Sequence, residues 1–261
     1  MSQQLQLVNY YFLILSLFFF INYLGTNSSP LFSTCPWRNC GTVNIGYPFW
    51  LRNETTSDQH YCGYRGFGLT CLNDEMTVLA LPAGDRYYVK AIDYSDYKLT
   101  LVDFDATNQS CPRVRHNVTL GELPLKFSLL DLNLSFYFNC TTYPPLVPYI
   151  ECLGFDARRS YVFVEGNETE GFDWSENCED KVVVAVMNAV INIGNLISGF
   201  NDGFVLYWGK AKDCSTCENS GGLCGYNDTA KEFLCFCIDG SIRSDSCKGM
   251  LSSSFYFLRH I

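Results

Sequence analysis

The number of cysteines constrains this chain more than any other feature of its sequence. Fourteen of its 261 residues are cysteine. Such a density argues against a reduced cytosolic enzyme, and it favours a protein that folds where cysteines are oxidised to disulfides. Each disulfide adds about 2–4 kcal/mol by restricting the unfolded chain, which suits small domains with modest cores. We therefore expect disulfides at all fourteen positions: Cys35, Cys40, Cys62, Cys71, Cys111, Cys140, Cys152, Cys178, Cys214, Cys217, Cys224, Cys235, Cys237 and Cys247.

The cysteines fall into two groups along the chain. Eight are spread over residues 35–178, and six are concentrated in residues 214–247. Within the first group, Thr141–Pro148 contains three prolines, which interrupt helices and strands alike. This distribution predicts two domains with a boundary near that segment.

The N-terminal segment is typical of a secretory leader. Residues 1–24 contain no charged side chain, and within Tyr10–Ile21 only Ser16 is polar. We predict a signal peptide over residues 1–29. The segment lacks an N-terminal Lys or Arg and a clear cleavage motif, so an uncleaved membrane anchor remains the alternative.

N-glycosylation sequons support delivery to the secretory pathway. The chain has eight N-x-S/T sequons, against roughly two or three expected by chance. The first, at Asn27, would be lost with the leader. We predict glycans at the other seven: Asn53, Asn108, Asn117, Asn133, Asn139, Asn167 and Asn227.

The hydrophobic pattern favours a mainly β fold. β-Branched and aromatic residues recur in short runs, and residues 93–98 suit a hairpin loop between two of them. The candidate strands lie in residues 87–92, 99–104, 127–138, 161–164 and 181–186. Residues 187–200 form the main helix candidate, although Gly194 interrupts it.

Motifs in the first half of the chain carry a family resemblance. They comprise the run from Cys35-Pro36-Trp37 to Cys40-Gly41, then Tyr47-Pro48-Phe49, and finally Cys62-Gly63 followed by Phe67, Leu69 and Cys71. In this order and spacing they resemble the galacturonan-binding domain of plant wall-associated receptor kinases. The resemblance implies such a domain over residues 30–145.

The second half resembles the C-terminal domain of the same receptor kinases. The matching residues are Cys178, Gly203-Phe204-x-Leu206-x-Trp208, Cys214-x-x-Cys217, Gly221-Gly222-x-Cys224-Gly225 and Cys235-x-Cys237-x-Asp239-Gly240. This arrangement is similar to the leaf-rust-resistance-locus type of receptor-like kinase. It implies a C-terminal domain over residues 150–248, followed by a short tail, residues 249–261.

The last six cysteines resemble an epidermal-growth-factor-like module. That resemblance implies the pairs Cys214–Cys224, Cys217–Cys235 and Cys237–Cys247, and it leaves the pairing of the first eight cysteines open. Calcium-binding versions need acidic ligands before the first cysteine, where only Asp213 stands, so we expect no calcium there. Zinc is disfavoured because secreted cysteines oxidise and no histidine lies nearby.

The sequence contains no recognisable set of catalytic residues. It has no Gly-rich loop with its lysine, no His-Arg-Asp and no Asp-Phe-Gly, the groups that hold nucleotide and metal in a kinase. The three histidines are scattered and there is no Gly-x-Ser-x-Gly motif. We therefore expect no enzyme and no cofactor, although the relatives that it resembles carry a kinase domain.

The expected function is non-catalytic binding of cell-wall polysaccharide, namely pectin or galacturonan, outside the cell or at the wall. The alternative is recognition of a protein or peptide together with a co-receptor kinase. The protein would be tethered to the membrane if its leader were uncleaved or if the chain were a truncated receptor. The net charge of −9 makes nucleic acid an unsuitable partner.

Galacturonan is a polyanion, so its site needs Arg or Lys for carboxylates and aromatic faces for sugar rings. Residues 30–150 carry a net charge of −2, against −7 for residues 151–261, which favours the N-terminal domain. Calcium bridging to acidic groups is a second route. Arg113 and Arg115 would share one face if they lay on a strand. The candidate binding residues are Trp37, Arg38, Trp50, Arg52, Tyr64, Arg65, Arg113 and Arg115.

Overall fold

The computed structural model describes residues 35–52, 60–106, 109–111, 113–187 and 196–247. The predicted leader, the sequons at Asn27, Asn53 and Asn108, and the tail from residue 249 lie outside the described residues. Within the described part, the fold is mainly β, as the sequence pattern predicts. No helix in this part combines the length and the apolar character needed to cross a bilayer.

The strands are short and are numbered here in chain order. In the first half they are β1 (Arg38–Cys40), β2 (Val43–Ile45), β3 (Trp50–Leu51), β4 (His60–Cys62), β5 (Gly68–Leu72), β6 (Met76–Ala80), β7 (Arg86–Asp93), β8 (Lys98–Asp103), β9 (Leu125–Phe127) and β10 (Asp131–Cys140). In the second half they are β11 (Arg159–Val164), β12 (Asp180–Met187), β13 (Phe204–Trp208), β14 (Leu223–Asn227), β15 (Glu232–Phe236) and β16 (Ile242–Arg243).

Three α-helices and two 3₁₀ turns complete the secondary structure of the described residues. The α-helices are α1 (Trp174–Asn177), α2 (Leu196–Asp202) and α3 (Ser215–Asn219). The 3₁₀ turns span Glu151–Leu153 and Lys212–Cys214. The helix predicted over residues 187–200 is therefore only partly confirmed, because Met187 ends a strand and residues 188–195 lie outside the described part.

The hairpin predicted around residues 93–98 is confirmed. Strands β7 and β8 pair antiparallel, with Asp93 opposite Lys98. In the turn, one carboxylate oxygen of Asp93 accepts hydrogen bonds from the backbone N–H groups of Ser95 and Asp96. This is the Asx-type turn that Asp favours between strands.

The strand candidate in residues 127–138 is confirmed over residues 131–138, which lie in β10, and is interrupted at residues 128–130. The chain turns at residues 128–130, where the Ser128 hydroxyl accepts a hydrogen bond from the backbone N–H of Leu130. Strand β9 ends before this turn and β10 begins after it. A hydroxyl that satisfies the backbone locally competes with the ladder of a strand, so the run divides between two sheets.

The largest sheet has seven strands in the order β3-β5-β6-β7-β8-β13-β9. Only the β3–β5 pair is parallel. Strand β13, from the second half of the chain, lies between two strands from the first half. One hydrophobic core beneath this sheet therefore combines residues such as Phe67 and Leu101 with Leu206.

Two further sheets extend the fold. The four-stranded sheet has the order β16-β15-β14-β4, so strand β4 of the first half completes a sheet of the second half. The three-stranded sheet has the order β11-β10-β12, and its Phe136, Val182 and Val184 lie in a second core. Each of these three sheets thus contains strands from both sides of the proline-rich segment 141–148.

All fourteen cysteines form disulfides, as predicted. The last six pair as the growth-factor-like resemblance implies, namely Cys214–Cys224, Cys217–Cys235 and Cys237–Cys247. The structure also gives the pairing of the first eight, which the sequence leaves open. These bonds are Cys35–Cys62, Cys40–Cys71, Cys111–Cys152 and Cys140–Cys178.

Candidate functional site

Three aromatic rings form a row where the seven-stranded and four-stranded sheets meet. Trp50 of β3 stacks on Tyr61 of β4, with ring centroids 3.6 Å apart and planes inclined by 13°. Tyr61 lies opposite Tyr226 in the β4–β14 pair, with a centroid distance of 6.3 Å. All three side chains are half-buried, so the row is fixed by packing and yet reaches the surface.

An arginine lies beside each end of this row. The guanidinium carbon of Arg52 is 5.6 Å from the Trp50 ring centroid, and that of Arg65 is 5.0 Å from the Tyr226 ring centroid. Both distances are within the range of cation–π attraction, and both arginines are exposed. We call Trp50, Arg52, Tyr61, Arg65 and Tyr226 the arginine–aromatic face.

Both arginines of the face influence the Tyr61 hydroxyl. Burial raises the pKa of the Tyr61 hydroxyl most, and the nearby Asp228 carboxylate raises it further. The charges of Arg65 and Arg52 both oppose these effects and lower the pKa of the same hydroxyl. The fields of the two arginines therefore overlap at the middle ring.

Two glycines allow Trp50 to occupy its position. A Cβ on Gly68 would lie 2.6 Å from the Trp50 ring, and a Cβ on Gly63 would lie 2.5 Å from it. Gly63 also has a φ of +151°, which side chains rarely adopt. The indole N–H of Trp50 donates to the carbonyl oxygen of Tyr64 across 3.0 Å, which fixes the ring orientation.

A hydrogen-bond network behind the face joins the two halves of the chain. Tyr47 and Tyr64 both donate their hydroxyl hydrogens to the Oε1 atom of Glu218 in α3, each across 2.6 Å. Burial, followed by the hydrogen bond to Glu218, raises the pKa of both hydroxyls, which keeps them protonated as donors. The backbone N–H of Gly63 donates to the carbonyl oxygen of Cys224, which adds a further link.

The structure brings together three of the eight predicted binding residues, namely Trp50, Arg52 and Arg65. Tyr64 is only 4% exposed and packs in the core, so its ring presents no face to a sugar. Sequence reasoning grouped Tyr64 with its neighbours because adjacent residues of an irregular loop carry no periodicity that separates inward from outward side chains.

The remaining four candidates lie in other surroundings. Trp37 is 46% exposed and packs edge-on against Tyr94, next to the exposed Arg38 of β1. The segment of Arg113 and Arg115 is not a strand, although the two flank the buried Val114. The guanidinium carbon of Arg113 lies 5.1 Å from the Phe138 ring centroid.

Sequence reasoning missed Tyr61 and Tyr226. Each stands next to a structural motif residue, Cys62 or Gly225, and this position gave no sign of a shared surface. Their proximity depends on the β4–β14 pairing, which joins segments far apart in the chain. A hydrophobic pattern encodes which side of a strand is buried, and it does not encode a distant partner strand.

The five predicted glycosylation sites in the described part occupy exposed or half-buried positions. In three of them the amide group makes a hydrogen bond to a distant part of the chain. The Asn117 carbonyl accepts from the Val183 N–H, and the amide nitrogens of Asn133 and Asn139 donate to Glu165 and Glu179. Asn167 is exposed, and Asn227 caps a turn through its side-chain oxygen.

A compact group of sulfurs is unsuited to bind a metal ion. The Sγ atoms of Cys235, Cys237 and Cys247 all lie within 4.8 Å of one another. All three are disulfide sulfurs, so none offers the thiolate that zinc requires.

Two families of extracellular receptor domains match the chain. Residues 35–103 match the model described as wall-associated receptor kinase galacturonan-binding, and residues 151–240 match that described as wall-associated receptor kinase C-terminal. The chain therefore contains the galacturonan-binding and C-terminal domains of wall-associated receptor kinases. The arginine–aromatic face draws four residues from the first region and Tyr226 from the second.

Relatives of the chain include several receptor-like kinases of Arabidopsis thaliana. It is 29% identical to leaf rust 10 disease-resistance locus receptor-like protein kinase-like 1.2, over 89% of this chain and 37% of the relative. It is 30% identical to receptor-like protein kinase-like 2.1 of the same group, over 78% of this chain and 33% of the relative. The chain thus spans about a third of the length of these relatives.

A relative of another kind is RING-H2 finger protein ATL22 of Arabidopsis thaliana, with 26% identity over 85% of this chain and 57% of the relative. No solved structure matches the chain.

Proposed function

We propose that this chain binds galacturonan without catalysis, and that the arginine–aromatic face is the binding surface. The observation that carries the proposal is the placement of Arg52 and Arg65 beside the two ends of one aromatic row. The match of residues 35–103 to a galacturonan-binding domain supports the choice of ligand.

The chemistry of the face suits a chain of galacturonate residues. Arginine can pair with a carboxylate through two parallel hydrogen bonds, and the ring faces offer apolar surface to the C–H groups of a sugar. The aromatic rings hold both guanidinium groups in place before a ligand arrives, which reduces the entropy lost on binding. This arrangement favours direct ionic contact over calcium bridging, because both arginines would repel a bound cation.

The setting of the proposed function is outside the cell. Both matched domains come from receptor kinases, and the seven disulfides require an oxidising compartment. We further propose that the bound polysaccharide is cell-wall pectin, and that any signal passes through a co-receptor kinase. The similarity to both receptor-like kinases and a RING-H2 protein supports a binding module that is combined with different intracellular partners.

Recognition of a protein or peptide is the second candidate function. Its support comes from large apolar side chains that face solvent in the described part. Leu129 and Leu146 are fully exposed, Leu130 is 73% exposed and Phe155 is 72% exposed. Exposed apolar groups of this kind are characteristic of protein interaction surfaces when they are contiguous.

The test is a titration of the secreted, glycosylated chain with oligogalacturonides, in the presence of calcium and in the presence of a chelator. Replacing Arg52 and Arg65 together with Ala should weaken binding about 30-fold, if each arginine contributes about 1 kcal/mol. A control with Lys126 and Arg158 replaced by Ala removes the same charge from exposed side chains elsewhere and should bind normally.

The outcomes separate the alternatives. Equal weakening in both double variants would indicate a general effect of charge and would contradict a specific face. Binding that requires calcium and has the same affinity in the parent chain and in both double variants would favour calcium bridging. Absence of saturable binding under either condition would leave protein recognition as the better candidate.

A further inference from the structure

A polar pocket lies away from the arginine–aromatic face, at the end of the β7–β8 hairpin opposite its turn. It has a volume of about 90 Å³, and its charged or titratable lining residues are Asp85, Arg86, Asp103, Asp105, Arg115 and His116. Its small size and polar lining suit a single carboxylate with an adjoining hydroxyl rather than several sugar rings.

Asp85 provides an acceptor that the described protein leaves unused. Its side chain is 11% exposed, and its Oδ2 atom is buried without a hydrogen-bond partner among the described residues. Its Oδ1 atom lies 3.8 Å from Nδ1 of His116, which is too long for a hydrogen bond. A buried carboxylate without donors is costly, so this site favours a ligand that brings a hydroxyl or another donor.

Two arginines provide the complementary donors. Neither Arg86 nor Arg115 forms an ion pair within the described residues. The guanidinium carbon of Arg86 lies 4.4 Å from the Phe104 ring centroid, which holds the group in place through its face and leaves its N–H edge available. Arg115 and the neighbouring His116 are exposed at the pocket rim.

Asp103 has a structural role in the pocket wall. Its Oδ1 atom accepts hydrogen bonds from the backbone N–H groups of Asp105 and Ala106, which shapes the turn after β8. Burial raises the pKa of this carboxyl, which reduces its tendency to repel an anion at acidic pH. Asp85 is therefore the lining carboxylate with an unpartnered buried oxygen among the described residues, and Arg86 and Arg115 are the arginines of the lining.

We propose that this pocket binds the terminal uronate residue of a galacturonan chain, with its carboxylate at Arg86 and Arg115 and a ring hydroxyl donating to Asp85. The choice of a uronate rests on the proposed function. A ligand with both a carboxylate and hydroxyl groups satisfies the unused donors and the unused acceptor together. The proposal gives the chain a second subsite, specific for chain ends, besides the face that binds the polymer along its length.

The experiment uses the intact secreted chain and the monosaccharide D-galacturonate, followed by calorimetry or by ligand-observed NMR. Arg115→Ala should weaken monomer binding roughly tenfold, since it removes one charge-assisted contact. Asp85→Asn should weaken it as well, and Arg115→Lys should restore it in part because the charge remains. Unchanged thermal unfolding of the Arg115 variants, whose side chain is exposed, would show that folding is intact.

Controls separate this proposal from the proposed function. The double variant of Arg52 and Arg65 should keep the Arg115-dependent part of monomer binding, because those residues belong to the face. D-Galactose, which lacks the carboxylate, should not bind. If oligogalacturonides bind the face and the monomer shows no Arg115-dependent binding, the pocket proposal is refuted and the proposal for the face still holds.

Two further results bear on the pocket. Binding of glycine instead of galacturonate would show that Asp85 takes an ammonium group, and it would overturn the assignment to a uronate. The pocket would be supported and the face refuted if the monomer bound in an Arg115-dependent way and oligogalacturonides showed no binding along their length.

Discussion

Tyr47 donates its hydroxyl hydrogen to Glu218 across 2.6 Å, although 171 residues separate them in the chain. The same hydroxyl oxygen accepts a hydrogen bond from the backbone N–H of Cys224 at 3.2 Å. Tyr47 therefore joins the region that matches the galacturonan-binding family to the region that matches the C-terminal family through a charged hydrogen bond. Since the arginine–aromatic face takes residues from both regions, this attachment also supports the site.

Replacing Tyr47 with Phe tests that attachment. The variant leaves Glu218 with one tyrosine donor in place of two, and it leaves the Cys224 N–H without its acceptor. A hydrogen bond to a charged group contributes about 1.5–3 kcal/mol, so the melting temperature should fall by roughly 4–8 °C. Calorimetry checks this value.

Tyr97→Phe is the matched control, because it removes the hydroxyl of a tyrosine that is 58% exposed. It should leave the melting temperature almost unchanged. In a double-mutant cycle, Tyr47→Phe should have a smaller effect when Glu218 is already Gln. Fully additive effects would contradict an energetic link between the two residues.

Gly68→Ala tests the geometry of the face without removing a charge or a ring. The new Cβ would lie 2.6 Å from both the Arg52 side chain and the Trp50 ring, so both must shift. We expect affinity for oligogalacturonides to fall several-fold, because the arginine and ring would no longer hold their positions. Isothermal titration calorimetry measures the change.

Gly209→Ala is the control for this variant, since a Cβ at Gly209 would meet nothing within 4 Å. It should bind oligogalacturonides as the parent chain does. Unaltered binding by Gly68→Ala would argue that the ligand does not contact the Trp50 end of the face.

Gly222 lies against three disulfide sulfurs. A Cβ there would lie 2.6 Å from Sγ of Cys235, 2.7 Å from Sγ of Cys247 and 2.9 Å from Sγ of Cys217. Gly222→Ala should force the Cys217–Cys235 and Cys237–Cys247 bridges apart and lower the yield of correctly paired protein. Peptide mapping under non-reducing conditions measures the pairing, and normal pairing in Gly222→Ala would contradict the prediction.

Alkaline pH should destabilise the fold through buried tyrosines. Burial raises the pKa of the Tyr94 hydroxyl to about 12, and it raises the pKa of the Tyr87 hydroxyl even more. An unfolded tyrosine has a pKa of about 10, so above that pH the unfolded chain loses protons that the folded chain retains. The contribution of these buried tyrosines to folding stability is therefore fully present below pH ~10, and it is lost as the pH rises toward 12.

The measurement is thermal unfolding at several pH values between 8 and 11.5. Tyrosinate absorbance should show fewer ionised tyrosines in the native chain than in the denatured chain at the same pH. Tyr87→Phe should reduce the decrease in stability, whereas the exposed Tyr97→Phe should not alter it. A native chain whose tyrosines all ionise near pH 10 would contradict the assignment of buried hydroxyls.

Local features of the fold follow from the sequence to a large extent. The β-favouring runs in residues 87–92 and 99–104, separated by a segment that suits a loop, predict a hairpin, and the structure contains that hairpin. The candidate at residues 127–138 is confirmed over residues 131–138, but the chain turns at residues 128–130, where the Ser128 hydroxyl bonds to the backbone and β9 and β10 belong to different sheets. Such a turn depends on side-chain geometry that a hydrophobic pattern does not contain.

The arginine–aromatic face, which is the proposed binding surface, could be predicted only in part. Trp50, Arg52 and Arg65 follow from their chemistry and their position near the first motif. Tyr64 carries the same chemistry, but its hydroxyl meets Glu218 from the second half of the chain, and its ring is buried as a result. Tyr226 belongs to the face because β14 pairs with β4, and no local feature of the sequence predicts that pairing.

The sequence by itself determined an oxidised, mainly β chain, because cysteine content and β-favouring runs are local properties. The pairing of the last six cysteines came from the resemblance to a growth-factor-like module. Tertiary structure decided how the halves combine, with β13 inserted between β8 and β9 and with β4 completing the sheet of β14. Backbone hydrogen bonds between strands are nearly independent of side-chain identity. Which distant strands meet is therefore decided by how the whole chain buries its apolar surface.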